Sequence, residues 1–296
     1  MIRTILVPLD GSALGEGALP TATALAQRMG AQLVLARVVS SASPLAVGEA
    51  QTYLDRVRAR LPHAVAASAT ALHGPPAPGI LAAVAGHRAD MVVMTTHGYS
   101  GLRRLVFGSV AEKVLATSPA PVWLVPAHGT AYPPLLTRPA PLALIPLDGS
   151  ALAEAALPPA LMLVNALGAR LLLLRVLPPE PLLIDPGVAE ALAPTEDETP
   201  AGAEAYLETL VPGIEAQGIP TQFVVRRGPA IQTILDEIWA SGADLLIMAT
   251  HGRSGLDRAM LGSVAVGLIH ACTIPMLLTR PEPPAQGDNQ KTKFVN

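Results

Sequence analysis

The chain has 296 residues, half of them hydrophobic, and its 23 acidic and 20 basic side chains leave a net charge of −3 at pH 7. A near-neutral surface with both signs interspersed carries no electrostatic footprint for nucleic acid or an anionic membrane, so neither partner is expected. A membrane-spanning helix needs about 20 apolar residues, and the longest apolar run, 155–167, is broken by Pro158, Pro159 and Asn165.

In chain order, Ile5-Leu6-Val7-Pro8-Leu9 reads as a strand ending at Asp10-Gly11-Ser12. It begins so soon after Met1 that no cleaved leader is expected, and a cytoplasmic location follows. Ser12 is a predicted N-cap, with Glu16 favouring the first turn. Ala18, Ala22, Leu25 and Met29 keep a helical period closed by Gly30, while Pro20 predicts a kink or a late start. A second strand is expected over 32–39, a loop over 40–48 and a helix over 51–61. A third strand follows over 65–71, a helix over 78–87, a fourth strand over 91–94 and a fifth over 121–125. Strands alternating with helices at this spacing predict βαβ units and a parallel sheet. Their continuous apolar character suits strands covered on both faces.

Residues 127–140 read as a linker, and then the series restarts. Leu144-Ile145-Pro146-Leu147-Asp148-Gly149-Ser150 repeats the opening strand and its turn. Glu154, Pro158 and Gly168 match Glu16, Pro20 and Gly30 at an offset of 138; Gly228, Asp244, Gly252 and Pro275 match Gly74, Asp90, Gly98 and Pro121 at 154. The 16 extra residues fall between the second and third strands of the repeat, in an acidic, proline-rich insertion at about 178–203. Two domains are therefore predicted, 1–126 and 141–280, followed by a disordered polar tail over 281–296. A duplicated domain is expected to pair about a pseudo-two-fold axis with the fifth strands close together, an intramolecular pseudo-dimer that leaves homodimerisation open. Cys272, the single cysteine, sits in an apolar context and is expected to be a buried, inert thiol.

Each half carries one glycine-bearing loop between a buried strand and a helix. Thr95-Thr96-His97-Gly98-Tyr99-Ser100-Gly101-Leu102 leads to Gly108-Ser109, and Ala249-Thr250-His251-Gly252-Arg253-Ser254-Gly255-Leu256 leads to Gly262-Ser263. A helix N-terminus presents unpaired N–H groups and the positive end of the helix dipole, a seat for phosphate. Gly98, Gly108, Ser109, Gly252, Gly262 and Ser263 are expected to supply backbone N–H groups and a hydroxyl there; the alternative is that they only shape a turn and cap a helix. Asp10 and Asp148 end the first strand of each half, either as ligands or as turn formers before glycine. His97 and His251 lack a repeating partner nucleophile, so a loop-bracing role is favoured over catalysis. Arg103, Arg104, Arg253 and Arg258 correspond only in part between the loops. No His/Cys cluster predicts a metal site.

These repeated motifs resemble the universal stress protein family in its tandem two-domain form. The resemblance covers the strand ending in Asp-Gly-Ser, the late Thr-His-Gly-x-Ser-Gly-Leu, the Gly-Ser-Val-Ala and the closing Pro-x-x-Leu of each half. It implies two Rossmann-like domains of the adenine nucleotide alpha hydrolase type, each a five-stranded parallel sheet with helices on both faces. It implies ATP at the strands' C-terminal ends, with any Mg²⁺ held by the phosphates. On that resemblance Asp10 and Asp148 accept from ribose, Val38 and Val176 offer backbone atoms to adenine, and the loop glycines and serines hold phosphate. The family's nucleotide-binding pattern opens on a glycine three residues earlier, where this chain has Thr95 and Ala249. The function implied is an ATP-binding regulatory module in stress response, acting through a protein partner the sequence does not name, without dedicated catalysis. The alternatives are an interaction or scaffold protein of the same fold, or a slow ATPase, against which stands the lack of a G-x-x-x-x-G-K-[ST] loop.

Overall fold

The computed structural model describes residues 1–96, 108–126, 138–179, 195, 198–251 and 261–280. In the first half they form β1 (Thr4–Pro8), α1 (Ala13–Glu16), α2 (Leu19–Met29), β2 (Gln32–Val39), α3 (Pro44–Ala59), β3 (Ala67–His73), α4 (Pro76–Gly86), β4 (Met91–Thr95), α5 (Ser109–Thr117) and β5 (Val122–Val125). The second half repeats the series. Its elements are β6 (Leu142–Pro146), α6 (Ala151–Glu154), α7 (Leu157–Leu167), β7 (Arg170–Leu177), α8 (Pro200–Glu215), β8 (Thr221–Arg227), α9 (Ala230–Ser241), β9 (Leu245–Ala249), α10 (Ser263–Ala271) and β10 (Met276–Thr279). None of the described helices is long and apolar enough to cross a membrane.

Local chemistry sets these boundaries. Ser12 Oγ accepts from the Gly15 amide at 3.0 Å and caps the single turn α1. Pro20 then sits in the first turn of a separate helix, where its missing N–H is harmless, so the late start holds and the kink does not occur. Helix α3 begins at Pro44 and takes in half of the loop expected over 40–48, because proline is again tolerated in a first turn. Strand β3 lies two residues later than expected, and β4 extends through Thr95. The recurring Asp90 and Asp244 tie the sheet's other end: Asp90 Oδ2 accepts from the Arg3 and Thr4 amides at 2.7 and 2.9 Å, and Asp244 Oδ2 from the Leu142 amide at 3.0 Å.

All ten strands join one sheet in the order β3-β2-β1-β4-β5-β10-β9-β6-β7-β8. Pairing is parallel within each half and antiparallel only between β5 and β10. Trp123 stands opposite Leu277, its counterpart in the repeat, so the pseudo-two-fold axis passes between them. The fifth strands thus meet as expected, and each covers the edge the other would leave open. One core layer lies on each face of the sheet and runs through both halves. Helices α2 and α7 pack against each other across the axis.

Helix α4 ends differently from its counterpart. Arg88 lies past its C-terminus at φ 49°, the only non-glycine residue with positive φ among those described; Gly242 holds the equivalent place at φ 65°. The left-handed region costs a side-chain-bearing residue about 1–2 kcal/mol. Arg88→Gly is therefore expected to stabilise the chain by about 0.5–1 kcal/mol, the relief less the entropy that glycine loses. A urea midpoint unchanged or lowered in the variant would contradict this.

Cys272 is buried, and its Sγ lies 3.6 Å from the Ile274 carbonyl. Burial pushes the thiol up to about 11. Only the thiolate reacts, so at pH 8 a thiol reagent is expected to modify native protein at least about a hundredfold more slowly than unfolded protein. Comparable rates in the two states would contradict the buried placement.

Candidate functional site

In each half the first strand lies between the second and the fourth: β1 between β2 and β4, β6 between β7 and β9. Chain connections leave this point towards opposite faces, opening a crevice beyond the strands' carboxyl ends. The Asp-Gly-Ser turns form one wall. Asp10 Oδ1 accepts from the Ser12 amide at 2.9 Å and the Ser12 hydroxyl at 2.7 Å; Asp148 Oδ1 accepts from the Ser150 amide and hydroxyl at 2.9 and 2.6 Å. The turn-forming role of both aspartates is thus realised. Gly11 at φ 89° and Gly149 at φ 77° supply the left-handed step the turn requires.

The opposite wall comes from the residues that flank the glycine-bearing loops. Gly108 N–H donates to the Thr96 carbonyl at 3.2 Å and Gly262 N–H to the Thr250 carbonyl at 2.9 Å, so each loop is pinned shut at its base. This corrects one expectation. The amides of Gly108 and Gly262 close the loops, and the donors at this edge are the first helical N–H groups after them, Ser109–Ala111 and Ser263–Ala265. Neither helix receives a side-chain cap. Ser109 and Ser263 are exposed at the first helical position, so their hydroxyls stand at the same edge. Gly98 and Gly252 lie outside the described residues, as do His97, Arg103, Arg104, Arg253 and Arg258.

A cavity of about 210 Å³ opens in the second half. Asp148, Val176, Gly262 and Ser263 all line it, together with apolar Ile234 and Met248. In the first half Asp10, Val38, Gly108 and Ser109 occupy the equivalent ends of β1, β2 and α5. His251 also borders the cavity, with Nδ1 3.0 Å from Thr250 Oγ1, in keeping with a bracing role.

Thr95 and Ala249 are the last residues of β4 and β9, and neither has a positive φ. The backbone here is strand in both halves, so side-chain bulk is what differs between them. Sequence reasoning gave Glu16 only a first-turn role and passed over two residues that join it behind the aspartates, Arg37 and Tyr53. Tyr53 Oη donates to Glu16 at 2.9 Å, and Arg37 lies 4.7 Å over the Tyr53 ring. In the second half Tyr206 donates to Glu154 at 2.9 Å, with Arg175 beside them. Burial first, then the glutamate hydrogen bond, raise both phenols well above their usual range. Recurrence of Arg and Tyr in both halves was the available signal.

An open α/β sheet with its crevice at the switch point, built twice and joined through the last strands, defines the class of this molecule. The Universal stress protein family profile matches residues 1–126 and 143–280. The chain belongs to the universal stress protein family and carries its domain twice. Over 138 residues it is 36% identical to a universal stress protein of Thermus aquaticus, covering 42% of this chain and 99% of that one. Over 140 residues it is 29% identical to a universal stress protein of Methanocaldococcus jannaschii, covering 42% and 82%. The crystal structure of a universal stress protein from Archaeoglobus fulgidus superposes with a TM-score of 0.71 at 20% identity, covering 94% of this chain and 98% of that one.

Proposed function

We propose that the crevice in each half binds an adenine nucleotide, ATP being the expected species, and that the chain is a cytoplasmic, nucleotide-responsive regulatory module of the stress response. The observation that carries this reading is the second-half cavity, where unlike walls converge. Val176, Ile234 and Met248 offer an apolar seat for a base, Asp148 a carboxylate for sugar hydroxyls, and the uncapped start of α10 with Ser263 a seat for phosphate. At about 210 Å³ the cavity is smaller than the ~300–1,000 Å³ of typical small-molecule sites. It suits a base and sugar, with the phosphates at the rim against the helix N-terminus. Any Mg²⁺ would arrive with those phosphates.

The role proposed is binding rather than turnover. His251 Nδ1 lies 3.0 Å from Thr250 Oγ1, and an enzymatic reading would need the other ring nitrogen to act as general base on an attacking water. Mass spectrometry of small molecules released from purified, denatured protein tests the reading. Adenine nucleotide near stoichiometric amounts is expected. Its absence, together with no uptake of added ATP, would leave an interaction protein of the same fold.

Thr95 favours that second reading for the first half alone. It sets a buried β-branched side chain where Ala249 adds one methyl. The second half is therefore expected to bind ATP more tightly, and Thr95→Gly to improve the first. Calorimetric titration of the intact chain and the variant checks this. Two equal sites, or no gain from Thr95→Gly, would show that bulk at this position does not limit binding.

A further inference from the structure

The turn that carries each site carboxylate rests on a guanidinium. In the second half Arg175 is 4% exposed, and its Nη1 donates to the Leu147 carbonyl at 3.3 Å, immediately before Asp148. In the first half Arg37 packs against Gly11, where a Cβ would stand 2.8 Å from Nη2 and 3.0 Å from Cζ. The same guanidinium lies over Tyr53, whose hydroxyl is held by Glu16. Asp, Glu, Arg and Tyr thus form one cluster in each half. Asp, Glu and Arg recur at an offset of 138, but Tyr206 follows Tyr53 by 153. The insertion before α8 displaces the tyrosine along the sequence, and the fold returns it to the same partners. A charge as buried as Arg175 carries a desolvation cost of several kcal/mol unless its neighbours compensate it. Here Glu154 and Asp148 stand with Arg175 around the same tyrosine, Tyr206.

We propose that Arg175, and Arg37 in the first half, are positioning residues for the nucleotide. Each guanidinium fixes its Asp-Gly-Ser turn so that the aspartate meets the sugar hydroxyls in a preset pose and binding does not have to order the turn. This rests on the nucleotide reading above, and its test includes a readout that needs no ligand. The Ser150 amide donates to Asp148 and the Ala153 amide to the Ser150 hydroxyl. Hydrogen exchange at these two amides therefore reports the order of the turn.

In full-length Arg175→Met, exchange at Ser150 and Ala153 is expected to accelerate at least tenfold, with Leu173 in the middle of β7 unchanged. ATP affinity is expected to fall at least tenfold. The losses from Arg175→Met and Asp148→Asn are expected not to add, because one acts through the other. Unchanged exchange at Ser150, acceleration shared equally by Leu173, or fully additive losses of affinity would overturn the proposal. Should wild-type protein take up no ATP while Ser150 exchange still accelerates in the variant, the turn-holding role stands and the nucleotide reading fails. If Arg175→Met does not fold, Arg37→Met gives the same test from a half-buried position, read at the Ser12 amide that donates to Asp10 at 2.9 Å.

Discussion

Trp123→Ala is expected to destabilise the chain by about 3–5 kcal/mol, the usual cost of emptying a large, closed core position. Trp123 is fully buried at the centre of β5, opposite Leu277 on the pseudo-two-fold axis. Its loss opens a cavity where the halves share a core layer and the antiparallel pair β5–β10 joins them, so relaxation from either side is limited. Trp123→Phe separates packing from polarity. Among the described residues the indole N–H has no hydrogen-bond partner, so phenylalanine forfeits volume but no bond seen there, and its cost is expected to stay below about 1.5 kcal/mol. Chemical denaturation of both variants provides the measurement. A loss under about 1 kcal/mol for Trp123→Ala would mean that the junction contributes little to the fold.

Gly262→Val is expected to weaken ATP binding in the second half at least tenfold, or about 1.4 kcal/mol. A Cβ at Gly262 would stand 3.2 Å from the Thr250 carbonyl and 3.8 Å from His251 Cα. It would press on the bond that pins the loop and move the start of α10 away from the phosphate seat. At Gly108 the nearest atom to such a Cβ is the Thr96 carbonyl at 3.5 Å, an ordinary contact. Gly108→Val therefore disturbs the loop base less, and any loss of ATP there comes from the side chain in the ligand's path. Titration of each variant with ATP, alongside its unfolding curve, distinguishes the two causes. Wild-type affinity in both would remove the phosphate role from these loops.

Much of the fold was legible because parallel strands write themselves as unbroken apolar runs, and glycines at fixed offsets marked the repeat. Helix α3 was missed at its start because its first turns carry no buried face. Leu45 is 72% exposed, and the buried stripe begins only at Ala50. Edge strand β3 is only half-buried along its length, so no sharp pattern fixed its limits. At the site, Asp148, Val176, Gly262 and Ser263 were named from the sequence and come together in one cavity. The work of the Gly108 and Gly262 amides was not legible, since closing a loop on the strand before it is a tertiary event. Nor was the buttress of Arg37 and Arg175, whose partners lie on separate elements and meet only once the sheet has formed.

Photocrosslinking of the intact chain with 8-azido-ATP, followed by peptide mapping, tests both the ligand and its place. The base is predicted to label second-half peptides containing Val176 or Ile234, with unlabelled ATP in excess protecting them and Gly262→Val reducing the yield. Label confined to other surfaces, or labelling that ATP does not suppress, would contradict nucleotide binding in this crevice.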